Sequence, residues 1–165
     1  MPDLTPYVQW LRATSASEWI NSTTWMWPLC ESLHFIGLSL LIGIAGFFDL
    51  RLMGFFKRVP VAAAKALMPF ALFGFGLNVV TGLVFLTGLP EQYASNPVWW
   101  SKVGFLMVAG LNAVIFETRL SSRVMAIGAG VDTPRAAKIV GFVSLVSWFA
   151  VLYCGRMLAF LGDAF

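Results

Sequence analysis

Four long apolar runs, separated by short polar stretches, dominate the chain. They extend from Trp27 to Met53, Ala62 to Leu89, Pro97 to Phe116 and Ala136 to Leu161. Each reaches or approaches the ~20 apolar residues an α-helix needs to cross ~30 Å of hydrocarbon. The pattern predicts an all-α, polytopic membrane protein, with four spans forming two hairpins over residues 25–165. Pro28 falls in the first turn of span one, where proline is tolerated. Pro69, followed by Gly74, Gly76 and Gly82, predicts a kink one or two turns into span two. Residues 1–24 are mixed in character and predict a short N-terminal interfacial segment. There Tyr7, Trp10, Leu11, Trp19 and Ile20 can lie against headgroups, and Ser15 and Glu18 have capping-box spacing for a helix starting near Ser15.

Composition agrees with this pattern. Hydrophobic residues make up 59% of the 165 and charged residues only 12%, where soluble domains carry roughly 25% charged residues. No basic face with interleaved aromatics stands free of the apolar runs, so nucleic acid is not an expected partner; the lipid bilayer is. No basic stretch followed by a short apolar core precedes Thr24, so the first span is expected to act as its own insertion signal.

Lysine and arginine set the expected orientation. Arg51, Lys57, Arg58 and Lys65 flank the first interspan loop, and Arg119, Arg123, Arg135 and Lys138 flank the third. The opposite side has only Arg12, Lys102 and Arg156. The excess places both basic loops in the cytoplasm and both termini in the periplasm, for a bacterial inner (plasma) membrane.

The halves share an internal repeat. Phe48, Asp49, Arg51 and Leu52 match Phe116, Glu117, Arg119 and Leu120 at an offset of 68, and Pro28 matches Pro97 nearby. Each hairpin starts and ends on the same side, so the repeat predicts a parallel, pseudo-twofold arrangement about the membrane normal.

Several polar residues fall inside the apolar runs. By helical rise, Glu31 lies ~6 Å and His34 ~10 Å in from Trp27, Arg156 ~8 Å in from Leu161, and Lys102 ~6 Å in from Val98. They form one layer, in which a Glu31–Arg156 ion pair is expected, with His34 bonded nearby and Lys102 snorkelling. Asn78 and Asn112 are expected to bond across helices, and Ser39, Gly43, Gly37 and Gly46 to permit close helix approach, within or between monomers. Asp49, Arg51, Glu117 and Arg119 predict ion pairs at the cytoplasmic edge.

His34 is the sole histidine, which argues against a di-iron or a bis-histidine haem site. A haem b held by His34 with Met157 or Met107 stays open. So does a soft copper(I) site of Cys30, His34 and Cys154, with Met26 or Met157. No phosphate loop, nucleophile elbow or catalytic triad is visible, and no enzymatic activity is expected.

The elements Glu31-Ser32-Leu33-His34-x-x-Gly37 and Asp49-Leu50-Arg51-Leu52, with NPVWWSKVGF and CGRMLAFLG, resemble a family of small four-helix bacterial inner-membrane proteins of unknown function. More remotely they are similar to copper-resistance D and cytochrome b561-type bundles, a likeness that implies copper or haem. The expected function is a structural or accessory subunit, a homo-oligomer or part of a larger membrane complex. Haem- or copper-based electron transfer and a small proton-coupled transporter are the alternatives.

Overall fold

A computed structural model describes residues 4–94 and 96–161, and every regular element among them is helical. Four helical stretches are long and apolar enough to cross a membrane: Met26–Met53, Val61–Gly88, Pro97–Val124 and Arg135–Leu158.

Two short helices come first, α1 (Thr5–Arg12) and α2 (Ser15–Ser22). The start of α2 falls where the capping box predicted, but the cap is one residue earlier. Thr14 is still extended, and its hydroxyl accepts from the Ser17 amide at 3.2 Å. Ser15 is already helical, so its side chain cannot serve as the N-cap. Helix α3 (Met26–Met53) is the first span and ends at Gly54, where φ is +98°. That left-handed residue lets the Phe55 amide donate back to the Leu50 carbonyl at 3.0 Å, a glycine-terminated helix end.

The second span is two helices, α4 (Val61–Lys65) and α5 (Met68–Gly88). The interruption falls at 66–67, just before Pro69, where the kink was expected. Pro69 sits in the first turn of α5, where a missing N–H costs nothing. Helix α6 (Pro90–Ala94) leads into α7 (Pro97–Ile115), which Asn96 caps by accepting from the Val98 amide at 2.9 Å. The third span continues through a π-helical turn, Phe116–Leu120, into α8 (Ser121–Val124). Helix α9 (Arg135–Leu161) is the fourth span.

Three seams hold the spans together: α3 with α5, α3 with α9, and α7 with α9. Helices α3 and α9 are central, while α5 and α7 are flanking. A parallel repeat would give spans one and three equivalent surroundings; here span one has two partners and span three lies at the edge. Phe75 of α5 reaches Trp148 of α9, with ring centroids 6.2 Å apart.

The end carrying the two basic loops is the tighter one. Phe48, Leu52, Val61, Ala64, Phe116, Val124 and Ala137 form a buried cluster there. The Val61 amide donates to the Ile127 carbonyl, and the Gly130 amide to the Lys57 carbonyl, so the loops are bonded to each other. At the opposite end Arg12 of α1 pairs with Glu91 of α6, and Asn21 of α2 donates to the Gly88 carbonyl at 2.9 Å.

Candidate functional site

The α3–α5 seam carries the histidine. The His34 Nδ1 lies 2.7 Å from the Thr81 hydroxyl, which itself donates to the Leu77 carbonyl at 2.7 Å. A hydroxyl has one hydrogen; with it given to Leu77, Thr81 accepts from His34, an assignment that puts the proton of a neutral ring on Nδ1. That leaves Nε2 with a free lone pair. Phe85 flanks the imidazole at 5.4 Å and stacks on Trp27 at 5.6 Å. One turn of α5 away, Asn78 lies over Gly37 of α3. Its amide donates to Gly74 of its own helix, so the cross-helix bond expected of it is absent among the described residues.

The expected ion pair is not formed. Glu31 and Arg156 are both exposed, and neither belongs to an ion pair among the described residues. The reason is angular: three residues turn Glu31 about 60° around the helix from His34. His34 faces α5, so Glu31 faces outward. Arg156 instead lays its guanidinium over the Phe160 ring at 4.8 Å. Tyr93 of α6 titrates above its ordinary value, first because it is buried and then because the Glu31 charge lies near it.

Lys102 is not extended towards lipid. It is half-buried, with its Nζ over Gly155 of α9, where an added Cβ would stand 3.6 Å away. His34 and Cys154 lie within its electrostatic reach. The predicted layer thus contracts to His34, Thr81 and Lys102, with the two exposed charges outside it.

The structure does not gather the candidate copper ligands. Cys30 is buried beside Met26, with Sγ 3.7 Å from Sδ, in a cluster with Ile20. Cys154 lies by Lys102, and both cysteines are free. Among the described residues no three His, Cys, Asp or Glu side chains are grouped so as to hold a metal ion. For haem, Met107 is 70% exposed on α7 and turned away from the seam bearing His34, while Met157 is half-buried.

At the loop end the repeat residues part company. Asp49 is buried near Ser144 of α9, and its Oδ2 has no partner among the described residues. Arg51 is fully buried and pairs with no carboxylate among the described residues; it donates to the carbonyls of Val59, Gly128 and Val131. Glu117 pairs with Lys65 at 2.6 Å, and Arg119 is exposed. The ion pairs expected among Asp49, Arg51, Glu117 and Arg119 are therefore not formed among the described residues, and Glu117 pairs with Lys65 instead. A two-residue step on a helix points its side chains in different directions. Asn112 donates across to the Val140 carbonyl of α9 at 3.0 Å.

Sequence reasoning missed Thr81, Ser144 and Asp132. Thr81 stands three residues after Asn78, and this second polar residue on one face of an apolar run was the available signal. Asp132 joins Lys138 and Lys57 in the third loop at 2.8 and 3.3 Å. The Lys138 ammonium, and then the Thr133 amide, hold its carboxyl down to about 2.

No family model, curated protein or solved structure matches the chain.

Proposed function

We propose that this protein is a non-enzymatic, multi-pass subunit of the bacterial inner membrane that assembles with copies of itself through the outward face of α3. Both basic loops are cytoplasmic in this reading. The observation that carries it is the use of small residues along α3. Gly37 is consumed by α5 inside the monomer, whereas Ser39 and Gly43 face outward, and a Cβ at Gly43 would meet nothing within 4 Å. Ser32 is exposed on the same face. Small residues at helical spacing let two backbones approach closely in lipid, where van der Waals packing drives association. Little of the chain lies outside the spans and short helices, which supports a role exercised within the bilayer.

Cysteine crosslinking tests this. In a Cys30→Ser, Cys154→Ser background, Ser39→Cys and Gly43→Cys are expected to give a covalent dimer in native membranes. Val108→Cys on the outer face of α7 is expected not to. A dimer from Val108→Cys alone, or from none of them, overturns the reading.

A second reading, proton handling at His34, is favoured by the fixed tautomer and the free Nε2. It predicts proton flux into liposomes that His34→Ala abolishes; an equal flux in both proteins removes it.

A further inference from the structure

Lys102 carries a charge that the described part of the protein does not answer. It lies a turn and a half into α7, within the third span. Its ammonium has three donors, yet no hydrogen bond or ion pair uses them among the described residues. The groups within its electrostatic reach, His34 and Cys154, are neutral in their ordinary states. An uncompensated cation in a spanning segment costs a few kcal/mol even on lenient insertion scales. A lysine at this depth would ordinarily extend its head out to the interface. Lys102 instead crosses to α9 and borders the notch left by Gly155, its Nζ 3.6 Å from where a Cβ would be.

The residue after Gly155 is the second unanswered cation. Arg156 is exposed, has no ion pair among the described residues, and is steadied by the Phe160 ring. The Lys102 ammonium of α7 thus ends at Gly155, and Arg156 is the next residue along α9. Beside them Trp99 and Trp100 pack edge-to-face at 4.7 Å, and the Trp100 indole donates to the Ala94 carbonyl at 2.9 Å. Fixed tryptophan rings at a span terminus mark headgroup level.

We propose that the Gly155 notch between α7 and α9 binds a phosphate-bearing anion, with Lys102 supplying the inner charge and Arg156 the outer one. An ammonium gives a point charge and a guanidinium a planar fork, and both suit phosphate oxygens. Two sources share that chemistry, an anionic phospholipid headgroup and free inorganic phosphate. Basic pockets between spans are a recognised setting for the former.

The test is native mass spectrometry of the intact chain in detergent, titrated with phosphatidylglycerol, phosphatidylcholine or inorganic phosphate. Phosphatidylglycerol is expected to bind about tenfold more tightly than phosphatidylcholine, equivalent to ~1.4 kcal/mol. Lys102→Gln and Arg156→Gln are each expected to reduce that preference, and the double variant to abolish it. Gly155→Leu, which fills the notch and leaves both charges, is expected to do the same. Displacement of phosphatidylglycerol by millimolar phosphate would support the site and identify free phosphate as able to fill it. Equal binding of the two lipids, or a preference unchanged in the folded double variant, overturns the proposal. Removing either charge strands no counter-charge among the described residues, so these glutamine variants should fold, and a thermal melt verifies it.

Discussion

Gly37 and Gly74 pack backbone to backbone. A Cβ on Gly37 would stand 2.7 Å from the Gly74 carbonyl oxygen, and one on Gly74 would stand 2.6 Å from that of Gly37. This reciprocal contact fixes the α3–α5 distance. It sets the height at which Asn78 and Thr81 meet α3, and so helps position His34. Backbone cannot yield as a side-chain end can, so each position excludes even a methyl group. Gly37→Ala and Gly74→Ala should each destabilise the fold by about 1–3 kcal/mol, the usual cost of overpacking. Gly43→Ala, in open space, should be close to neutral. Reversible unfolding in mixed micelles measures all three.

Arg51 ties both basic loops to the end of α3. Removing it orphans the carbonyls of Val59, Gly128 and Val131. A hydrogen bond from a charged group contributes about 1.5–3 kcal/mol, so Arg51→Met should cost at least ~3 kcal/mol. It should also accelerate proteolytic cleavage in residues 55–60 and 125–134. Arg119→Ala, at the matching repeat position but exposed, should change stability by no more than ~0.5 kcal/mol.

The Asp132 cluster gives a pH dependence whose sign is fixed. The folded carboxyl titrates at about 2, below the ordinary value near ~4. The folded state therefore binds its proton less readily than the unfolded chain does. The cluster's contribution is fully present above pH ~4 and is lost as pH falls through about 2. Between pH 5 and 2 the melting temperature of the wild type should fall further than that of Asp132→Asn. Parallel curves would show that Lys57 and Lys138 do not act through this carboxylate.

Thr81 fixes the His34 tautomer. Nitrogen-15 NMR should find the ring protonated on Nδ1 in the wild type. In Thr81→Val the acceptor is gone, so the two tautomers should mix and stability should drop by ~1 kcal/mol. A ring protonated mainly on Nε2 in the wild type would reverse the donor assignment.

The four long apolar helices were legible because crossing a bilayer demands an apolar run of fixed length, and hydropathy records such runs directly. Glu31 and Arg156 show where that reasoning stops. Helical rise gave their shared depth, but depth says nothing of azimuth, and both face outward. Pro69 marked the place of the interruption in the second span, but not its form: one proline can bend a helix or open a new one, and here α4 ends at Lys65 and α5 begins at Met68. The repeat marked Asp49 and Glu117 as equivalents. Packing separates them, since α3 lies between two neighbours while the π-helical turn after α7 lies at the edge. Thr81 was passed over because a threonine in an apolar helix is ordinarily satisfied by its own backbone, as this one also is.

The central claim is assembly through the outward face of α3. Its most direct measurement is energy transfer between donor- and acceptor-labelled protein in lipid vesicles, with the protein progressively diluted in lipid. The account predicts transfer above the random-proximity level that survives dilution and falls to that level in Gly43→Ile, whose melt should match the wild type. Transfer at the random level in the wild type, or an unchanged signal in the folded Gly43→Ile variant, would contradict it.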